Sequence, residues 1–491
     1  MTKTRFATIA GACVLAACAT TPKPNLSRIE HIVVIYAENR SFDNLYGLFP
    51  GADGIANATP AQYTQVDYDG KPLPHLPPVW KTNSKEPDPA FPQDLPNKPW
   101  RIDAAPHNMP MHARHRDLIH KFYPQQEQIN GGRNDRFAEV SDAGALAMSY
   151  VDGSSLPLWK WATEYTLADK FFMGAFGDSY LNHFWLICAC TPVDPKPPAN
   201  LVAQLDERGW LKRRPTSSPS ALNGPAEFVG GDFTSDGYSL STNQPPYQPS
   251  RVPPAPGGDA RFADPSKPIL PPQTQRTVGD TLSEKGVTWA WYSGAWNVAL
   301  KDGMQAHDAP RKAINTREAG APYFVTHHQP FNYFANYAPG TAARAAHFRD
   351  YDDLVADIEK GTLPAVAFYK PQGTLNQHPG YADLASGDQH IADLLARIKA
   401  SPLWSSTVII VTYDENGGFW DHVPPPKGDR WGPGTRIPAL IVSPLAKKGY
   451  VDHTSYDTTS IIKFITLRFG LTPLPGVRAG AGDLTNALDV R

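Results

Sequence analysis

The sequence has 491 residues, of which 41% are hydrophobic, and its formal net charge is −2. So small a net charge excludes a chain that binds nucleic acid through a strongly basic surface. The hydrophobic content suffices for a large core, and the 50 prolines, about a tenth of the residues against ~5% on average, predict long ordered loops.

The first residues have the pattern of an export signal. Lys3 and Arg5 form a basic segment, and the apolar run 6–14 that follows is too short to cross a bilayer. Leu15-Ala16-Ala17-Cys18 then resembles a bacterial lipobox, in which the cysteine is lipidated and becomes the first residue of the mature chain.

Ordinary cleavage near residues 17–19 is the alternative to lipidation. In both cases we expect an exported protein, either periplasmic or anchored to the outer membrane through a lipid on Cys18. Residues 1–17 are then a signal peptide of the lipoprotein type and residues 18–28 a tether. No later segment is long and apolar enough to span a membrane.

Strands and helices alternate along the rest of the chain. Short apolar, β-branched or aromatic runs predict buried strands at 32–36, 287–292, 365–369, 408–411 and 437–443. Amphipathic or apolar stretches predict helices at 156–166, 180–190, 388–400 and 459–469. This alternation predicts an α/β fold with a mostly parallel central sheet and helices on both faces.

Long proline-rich stretches interrupt this pattern near 50–110 and 191–280. We predict that both are loop insertions in a single domain that spans 29–491, with one short strand near 227–233. The region 111–150 has a mixed pattern that favours helix, including residues 116–120.

Four cysteines are present, and two of them lie in the N-terminal segment. The other two, Cys188 and Cys190, fall at the end of the helix predicted over 180–190. Residues two apart on a helix point to nearly opposite sides, so we expect no bridge between them. They are interpreted as small buried residues.

Polar residues directly follow two of the predicted strands. Glu38-Asn39 comes after the first strand, and Asp414-Glu415 comes after the apolar run 408–411. Ligands of open α/β sheets bind beyond the carboxyl ends of the strands, where adjacent carboxylates are costly to bury without a cation. A capped strand end or a solvated turn is the alternative for each pair taken alone.

Together with further motifs, these pairs resemble the bacterial phosphoesterase family, which includes secreted acid phosphatases and phospholipases C. The resemblance runs in order from about residue 29 to 470. It depends on Glu38-Asn-Arg-Ser-Phe-Asp43, His120 with Asn130-Gly-Gly132, Gly177-Asp-Ser179, His327-His328, Asn376-Gln-His378-Pro-Gly380 and Tyr413-Asp-Glu-Asn-Gly417 with Asp421-His422. It implies a fold related to the alkaline phosphatase superfamily.

The resemblance implies a metal site and a nucleophile. The metal ligands would be Glu38, Asn39, Ser179, Asp414 and Glu415. Oxygen ligands suit Ca²⁺, Mg²⁺ or Mn²⁺, and the nearby histidines leave Zn²⁺ or Fe open. Ser179, at a predicted helix N-terminus, would be the nucleophile, and a bound metal would activate its weak hydroxyl. A plain helix cap is the alternative for Ser179.

Histidines would bind the phosphoryl oxygens and protonate the leaving alcohol. The candidates are His120, His327, His328 and His378, with His378 or His328 as the acid. His107, His112 and His115 are alternatives to His120. Asp421 and His422 are expected to support the site, and His390 is interpreted as structural. A histidine-rich site also predicts an acidic pH optimum.

The first functional hypothesis is an acid phosphatase that cleaves small phosphomonoesters through a phosphoserine intermediate. Two features favour it: the Gly177-Asp-Ser179 segment in place of Pro-Thr, and the absence of sequence for the C-terminal β domains of longer phospholipases. The sequence leaves the oligomeric state open.

The alternative is a phospholipase C that acts on glycerophospholipids. Five aromatic residues would line an apolar pocket for its substrate or belong to the core or a lid: Trp289, Trp291, Trp296, Phe331 and Phe334. A remote alternative is a non-catalytic surface lipoprotein, which the intact set of ligands and nucleophile argues against. A sulfatase is excluded because Ser179 lacks the Cys/Ser-x-Pro-x-Arg setting.

Overall fold

A computed structural model describes residues 25–316 and 320–490. The predicted signal peptide and the predicted lipid site at Cys18 lie outside the described residues. The strands are β1 (His31–Ala37), β2 (Trp100–Arg101), β3 (Ser149–Tyr150), β4 (Thr166–Ala168), β5 (Phe171–Phe172), β6 (Trp289–Ser293), β7 (Phe348–Asp350), β8 (Val366–Lys370), β9 (Thr407–Tyr413), β10 (Ala439–Val442), β11 (Tyr450–Asp452) and β12 (Tyr456–Asp457).

The α-helices are interspersed among these strands along the chain, except that β4 and β5, and likewise β9 to β12, follow one another with no α-helix between them. They are α1 (Phe42–Tyr46), α2 (Pro60–Tyr63), α3 (Phe122–Ile129), α4 (Phe137–Val140), α5 (Pro157–Glu164), α6 (Ser179–Cys188), α7 (Val278–Glu284), α8 (Trp296–Gly303), α9 (Ala342–His347), α10 (Tyr351–Lys360), α11 (Leu384–Ala400) and α12 (Thr459–Phe469).

The central sheet has 8 strands in the order β11-β4-β10-β9-β1-β8-β6-β7. β10 runs antiparallel to both of its neighbours, and every other pair in this sheet is parallel. β9 is buried along its whole length and β1 from Ile32 onward. Their β-branched side chains pack well on a pleated surface covered on both sides. The predicted mostly parallel α/β sheet is therefore confirmed.

The longer helices form two packed groups over this sheet. α11 packs against α5 and α10, whereas α6 packs against α7 and α12. α11 buries Ile391, Leu394, Leu395 and Ile398, which recur at helical spacing, and its N-cap Asp383 accepts from the Ser386 amide at 2.8 Å. The helix begins four residues before the predicted start because this cap lies upstream of the apolar pattern.

Some predicted elements are absent or shorter. Residues 116–120 are irregular rather than helical, and 227–233 forms only isolated bridges such as Val202 to Phe233. In 116–120 a side chain replaces helical bonding, since Asp142 Oδ1 accepts from the Ile119 amide at 2.7 Å, whereas 227–233 bonds to the backbone of other loops, as where the Val229 amide donates to the Lys212 carbonyl at 2.9 Å. Among the described residues, no helix is both long and apolar enough to cross a bilayer.

The expectation about the cysteines is wrong, since Cys188 and Cys190 form a disulfide. The prediction assumed that a helix continues through Cys190. Instead α6 ends at Cys188, and Ala189 takes a left-handed conformation with φ 47°. This turn brings the two cysteine Cα atoms to 5.1 Å, within the usual span of a disulfide.

Candidate active site

The ends of three adjacent strands define the centre of the site. β8, β1 and β9 are neighbours, and their carboxyl ends lead to Lys370, Glu38 and Asp414. The Asp414 amide donates to the Ala37 carbonyl at 3.1 Å, which continues the ladder to the point where both loops begin. The two acidic pairs predicted from sequence are therefore brought together.

The loops after β1 and β9 bind each other directly. The Asn39 amide donates to Asp414 Oδ1 at 3.0 Å, and the Arg40 amide donates to the Glu415 carbonyl at 3.0 Å. Gly417 has φ 64°, and a Cβ there would lie 2.7 Å from the Asn39 carbonyl oxygen. Only glycine fits this close approach without a shift of the backbone.

Ser179 lies at the N-terminus of α6, facing the two acidic loops. The N-cap Asp178 accepts from the Leu181 amide at 3.4 Å and fixes the first turn. Ser179 is 2% exposed, and its hydroxyl donates to Glu38 Oε2 at 3.1 Å. Asn39 Oδ1 lies 3.5 Å from the Ser179 hydroxyl oxygen. A serine at a helix N-terminus is also well placed beside a bound anion.

Two carboxylate oxygens of the site have no hydrogen-bond donor within the described part of the chain. They are Asp414 Oδ2 and Glu415 Oε1, and both residues are fully buried. Burial, together with the neighbouring carboxylates, raises the pKa of Asp414 to about 7 and that of Glu415 well above its usual range. Lys370 Nζ lies 3.9 Å from Asp414 Oδ2 and His120 Nε2 lies 3.9 Å from Glu415 Oε1, too far to hydrogen-bond, so a cation bound closer would stabilise both carboxylates.

The donor set fits a divalent metal ion. Glu38, Asn39, Asp414, Glu415 and Ser179 present carboxylate, amide and hydroxyl oxygens, which are the ligands that hard cations prefer. Glu38 is held ionised: burial opposes this, but the charges of His328 and Lys370 prevail and hold its pKa well below the usual range.

Three histidines pack behind Ser179. His328 Nε2 lies 2.8 Å from Glu38 Oε1, and its ring stacks on His183 at 5.0 Å between centroids. His183 Nδ1 donates to the Ser179 carbonyl at 2.6 Å. His327 meets the His328 ring edge-on at 4.7 Å. Burial lowers the pKa of all three imidazoles, and the charge of Glu38 opposes this shift in each of them.

His120 and His378 form a second pair of histidines at the site. His120 Nε2 is 3.5 Å from Asn39 Nδ2 and 3.9 Å from Glu415 Oε1. Burial alone would lower the pKa of His120, but the charges of Glu415 and Asp117 raise it to about 10. His378 lies 5.9 Å from His120 between ring centroids and stacks on Tyr381. Burial lowers the pKa of His378.

A cavity of about 650 Å³ opens beside His120. Most of the residues that line it are polar or charged, with apolar surface from Leu118 and Ile119, and they include Asp117, Lys121, Asp178 and Ser241. Asp178, the N-cap residue directly before Ser179, belongs to this wall, so the cavity reaches the N-terminus of α6.

The alternatives to His120 lie away from the acids. His115 Nε2 is 3.4 Å from an Arg40 guanidinium nitrogen, and His107 stacks on Phe91 at 4.6 Å. His112 is exposed. His390 hydrogen-bonds the Tyr369 hydroxyl at 2.6 Å between α11 and β8, in keeping with its structural interpretation.

Lys370 and His183 belong to the site but were not predicted from sequence. Lys370 ends the apolar strand β8, as Glu38 and Asp414 follow β1 and β9, and this shared position was an available signal. His183 lies one helical turn after Ser179 within an apolar helix, where it is difficult to distinguish from a packing residue.

Asp421 and His422, predicted to support the site, belong to a buried ionic network. Arg436 Nε donates to Asp421 Oδ1 at 3.0 Å, and its Nη2 donates to Asp43 Oδ1 at 3.0 Å. His422 Nδ1 lies 2.6 Å from Asp43 Oδ2, and Asp53 Oδ1 is 3.2 Å from Nε2. The network ties α1, after Glu38, to the loop after Glu415, and so holds the two halves of the site together.

The pH dependence of stability should report on His422. Burial would lower its pKa, but the hydrogen bond and charge of Asp43 raise it to about 9. A raised folded-state pKa adds stability that is complete below the unfolded value of ~6.5 and is lost as pH rises through 9. We expect the free energy of unfolding of wild type to exceed that of His422→Gln by roughly 3 kcal/mol at pH 6. This difference should shrink towards pH 9.

Urea unfolding at pH 6, 7.5 and 9 measures this gap. The exposed His307→Gln serves as the matched control and should show no pH-dependent difference from wild type. A His422→Gln gap of equal size at all three pH values would contradict the ionic role of His422.

Comparison with known proteins gives the class to which this arrangement belongs. Proteins named as phospholipases C match more than nine-tenths of the chain. The chain belongs to the Phosphoesterase family, whose family model matches residues 29–472.

Two relatives illustrate the similarity. The chain is 25% identical over 509 residues to the "Non-hemolytic phospholipase C" of Burkholderia pseudomallei, a match that covers 94% of this chain and 59% of that protein. It is 24% identical over 526 residues to "Phospholipase C B" of Mycobacterium tuberculosis, which covers 99% of this chain and 82% of the relative.

Among solved structures, the chain is similar to a protein in the alkaline phosphatase superfamily from Vibrio parahaemolyticus. The identity is 11% and the TM-score 0.34, with 78% of this chain and 75% of the other covered. A score this low adds nothing to the architecture described above.

Proposed function

We propose that the chain cleaves the phosphodiester bond of glycerophospholipids, as a phospholipase C, with Ser179 as the nucleophile. The observation that carries the proposal is the 3.1 Å contact from the Ser179 hydroxyl to Glu38 Oε2, at a cluster of carboxylates with unpartnered oxygens. Acid phosphatase activity, the first hypothesis from sequence, is the second candidate.

A divalent metal ion would be held by Glu38, Asn39, Asp414, Glu415 and the Ser179 hydroxyl. Bound there, it would lower the pKa of the serine hydroxyl and neutralise charge that develops on the phosphoryl oxygens. Which of Ca²⁺, Mg²⁺, Mn²⁺, Zn²⁺ or Fe occupies the site is a question for metal analysis.

The chain's own residues would carry out a two-step transfer. The Ser179 hydroxyl gives its proton towards Glu38 Oε2 and attacks phosphorus, so an Oγ–P bond forms and the bond to the leaving alcohol breaks. Water then attacks the phosphoserine and releases the phosphorylated head group, or phosphate from a monoester. The α6 N-terminus offers backbone N–H groups to the phosphoryl oxygens.

The histidines divide into two roles in this proposal. His120 lines the cavity, His378 lies 5.9 Å from His120 between ring centroids, and both are proposed to bind a phosphoryl oxygen and protonate the leaving oxygen. His328 faces Glu38, and His327 contacts His328 rather than the acids, so both would support the carboxylate instead. The residue proposed to protonate the leaving oxygen is therefore His120 or His378, and no longer His328.

The five aromatic residues suggested for an apolar pocket do not line one. Each is at most 3% exposed, and Trp289 and Trp291 pack against Phe331. Most of the residues that line the cavity are polar or charged, which favours a small polar ester and is the reason for keeping acid phosphatase as a candidate. A phospholipid presents its phosphodiester at a membrane surface, however, and this reaction requires no enclosed acyl pocket. The names of the relatives therefore favour phospholipase C.

Turnover of two substrates tests the choice. We expect kcat/KM for phosphatidylcholine in mixed micelles to exceed that for p-nitrophenyl phosphate at least tenfold, which corresponds to about 1.4 kcal/mol. The reverse preference would make the chain a phosphatase. Absence of turnover on both substrates by protein supplied with each candidate metal would contradict both candidates.

A further inference from the structure

Lys370 is a lysine with no exposed surface at the carboxyl end of β8. Its ammonium forms an ion pair with Glu38 Oε1, lies 3.9 Å from Asp414 Oδ2 and donates to the Ala37 carbonyl at 3.5 Å. The Tyr36 ring centroid is 5.2 Å away. A buried ammonium is costly unless it is paired, and all of these partners belong to β1 or to the acids of the site.

The two carboxylate oxygens of Glu38 have different neighbours. Oε1 contacts two nitrogen atoms, Lys370 Nζ and His328 Nε2. Oε2 instead accepts a hydrogen bond from the Ser179 hydroxyl. Glu38 is therefore held in one orientation from behind, with its second oxygen turned to the serine. Among the three side chains that contact Glu38, Lys370 alone carries an ammonium group with three donor hydrogens.

We propose that Lys370 is a positioning residue that acts through Glu38. Its ammonium occupies Oε1 and thereby reserves Oε2 for Ser179 and for a metal ion held beside it. The inference rests on the proposed role of Ser179 and adds to it a residue that touches neither the ester nor the serine.

The same ammonium also adjusts the charge of the site. Glu38, Asp414 and Glu415 supply carboxylates that attract a divalent ion, and a fixed positive charge among them opposes its binding. Removal of Lys370 is therefore expected to strengthen metal binding and to impair catalysis. The divalent ion binds more tightly, and Glu38 loses the orientation that serves Ser179.

A titration and a kinetic measurement on Lys370→Met test this pair of effects. Isothermal titration of the metal-free protein with Mn²⁺ is expected to show at least about tenfold tighter binding than in wild type. With Mn²⁺ saturating, kcat should fall at least about 100-fold while KM changes less than about threefold, since the groups around the cavity are unaltered. A lysine with only a structural role would weaken Mn²⁺ binding and activity together.

The exposed Lys448→Met is the matched control and should leave both measurements unchanged. If Lys370→Met does not fold, the double variant Glu38→Gln/Lys370→Met should, because it removes both members of this ion pair, and its Mn²⁺ affinity and kcat are then compared with those of Glu38→Gln. Weaker Mn²⁺ binding, an unchanged kcat, or failure of both variants to fold would overturn the proposal. Mn²⁺ affinity does not depend on turnover, so an active Ser179→Ala would refute the proposed function and leave this test standing.

Discussion

Replacement of Ser179 by alanine is expected to lower kcat at least about 10⁴-fold on any phosphate ester that the wild type cleaves. The variant lacks the oxygen that bonds to phosphorus, so no covalent intermediate can form. It also loses the donor to Glu38 Oε2, but Glu38 keeps Lys370 and His328 as partners. The fold should therefore persist, with a change in Tm of only a few degrees.

Rapid quenching with a ³²P-labelled phosphomonoester supplies a second readout. Wild type should retain label in acid-denatured protein, and Ser179→Ala should not. The exposed Ser266→Ala is the matched control and should behave as wild type in both assays. Activity within tenfold of wild type in Ser179→Ala would remove Ser179 as the nucleophile.

The strand ends were the part of the site that the sequence allowed us to predict. Apolar runs before Glu38 and Asp414 indicate buried strands, and parallel strands place their carboxyl ends at one edge. Proximity of the two acidic pairs then requires only that the strands be neighbours, as β1 and β9 are. Local pattern therefore predicts each strand end, whereas the adjacency of β1 and β9 is a long-range property of the chain.

Lys370 shows why the rest could not be predicted in the same way. A lysine at the end of an apolar strand normally indicates the point where the strand reaches solvent. Its burial follows from the strand order β8-β1-β9, which places it beside Glu38, and that order is a property of the whole chain. The disulfide was missed for a local reason: the left-handed Ala189 that ends α6 has no sequence signature.

Removal of divalent metal is expected to abolish turnover and to lower thermal stability. Without an ion, Asp414 Oδ2 and Glu415 Oε1 remain buried with no donor within the described ranges. An ion present at about 1,000 times its Kd would stabilise the folded state by ~4 kcal/mol, because the unfolded chain lacks the assembled site. Dialysis against EDTA, followed by return of single metals, should show Tm and kcat recovering together for the ion that the site prefers.

Asp414→Asn separates this effect from general destabilisation. It keeps the shape of the side chain but removes the charge, so the ion should bind at least about 100-fold more weakly and its effect on Tm should shrink. The exposed Asp69→Asn, which changes the same side chain at the surface, should keep the full metal-dependent rise in Tm. Full activity after dialysis, in buffers freed of metal, would contradict the metal site. A metal-dependent rise in Tm that is equal in Asp414→Asn and wild type would show instead that the ion binds elsewhere.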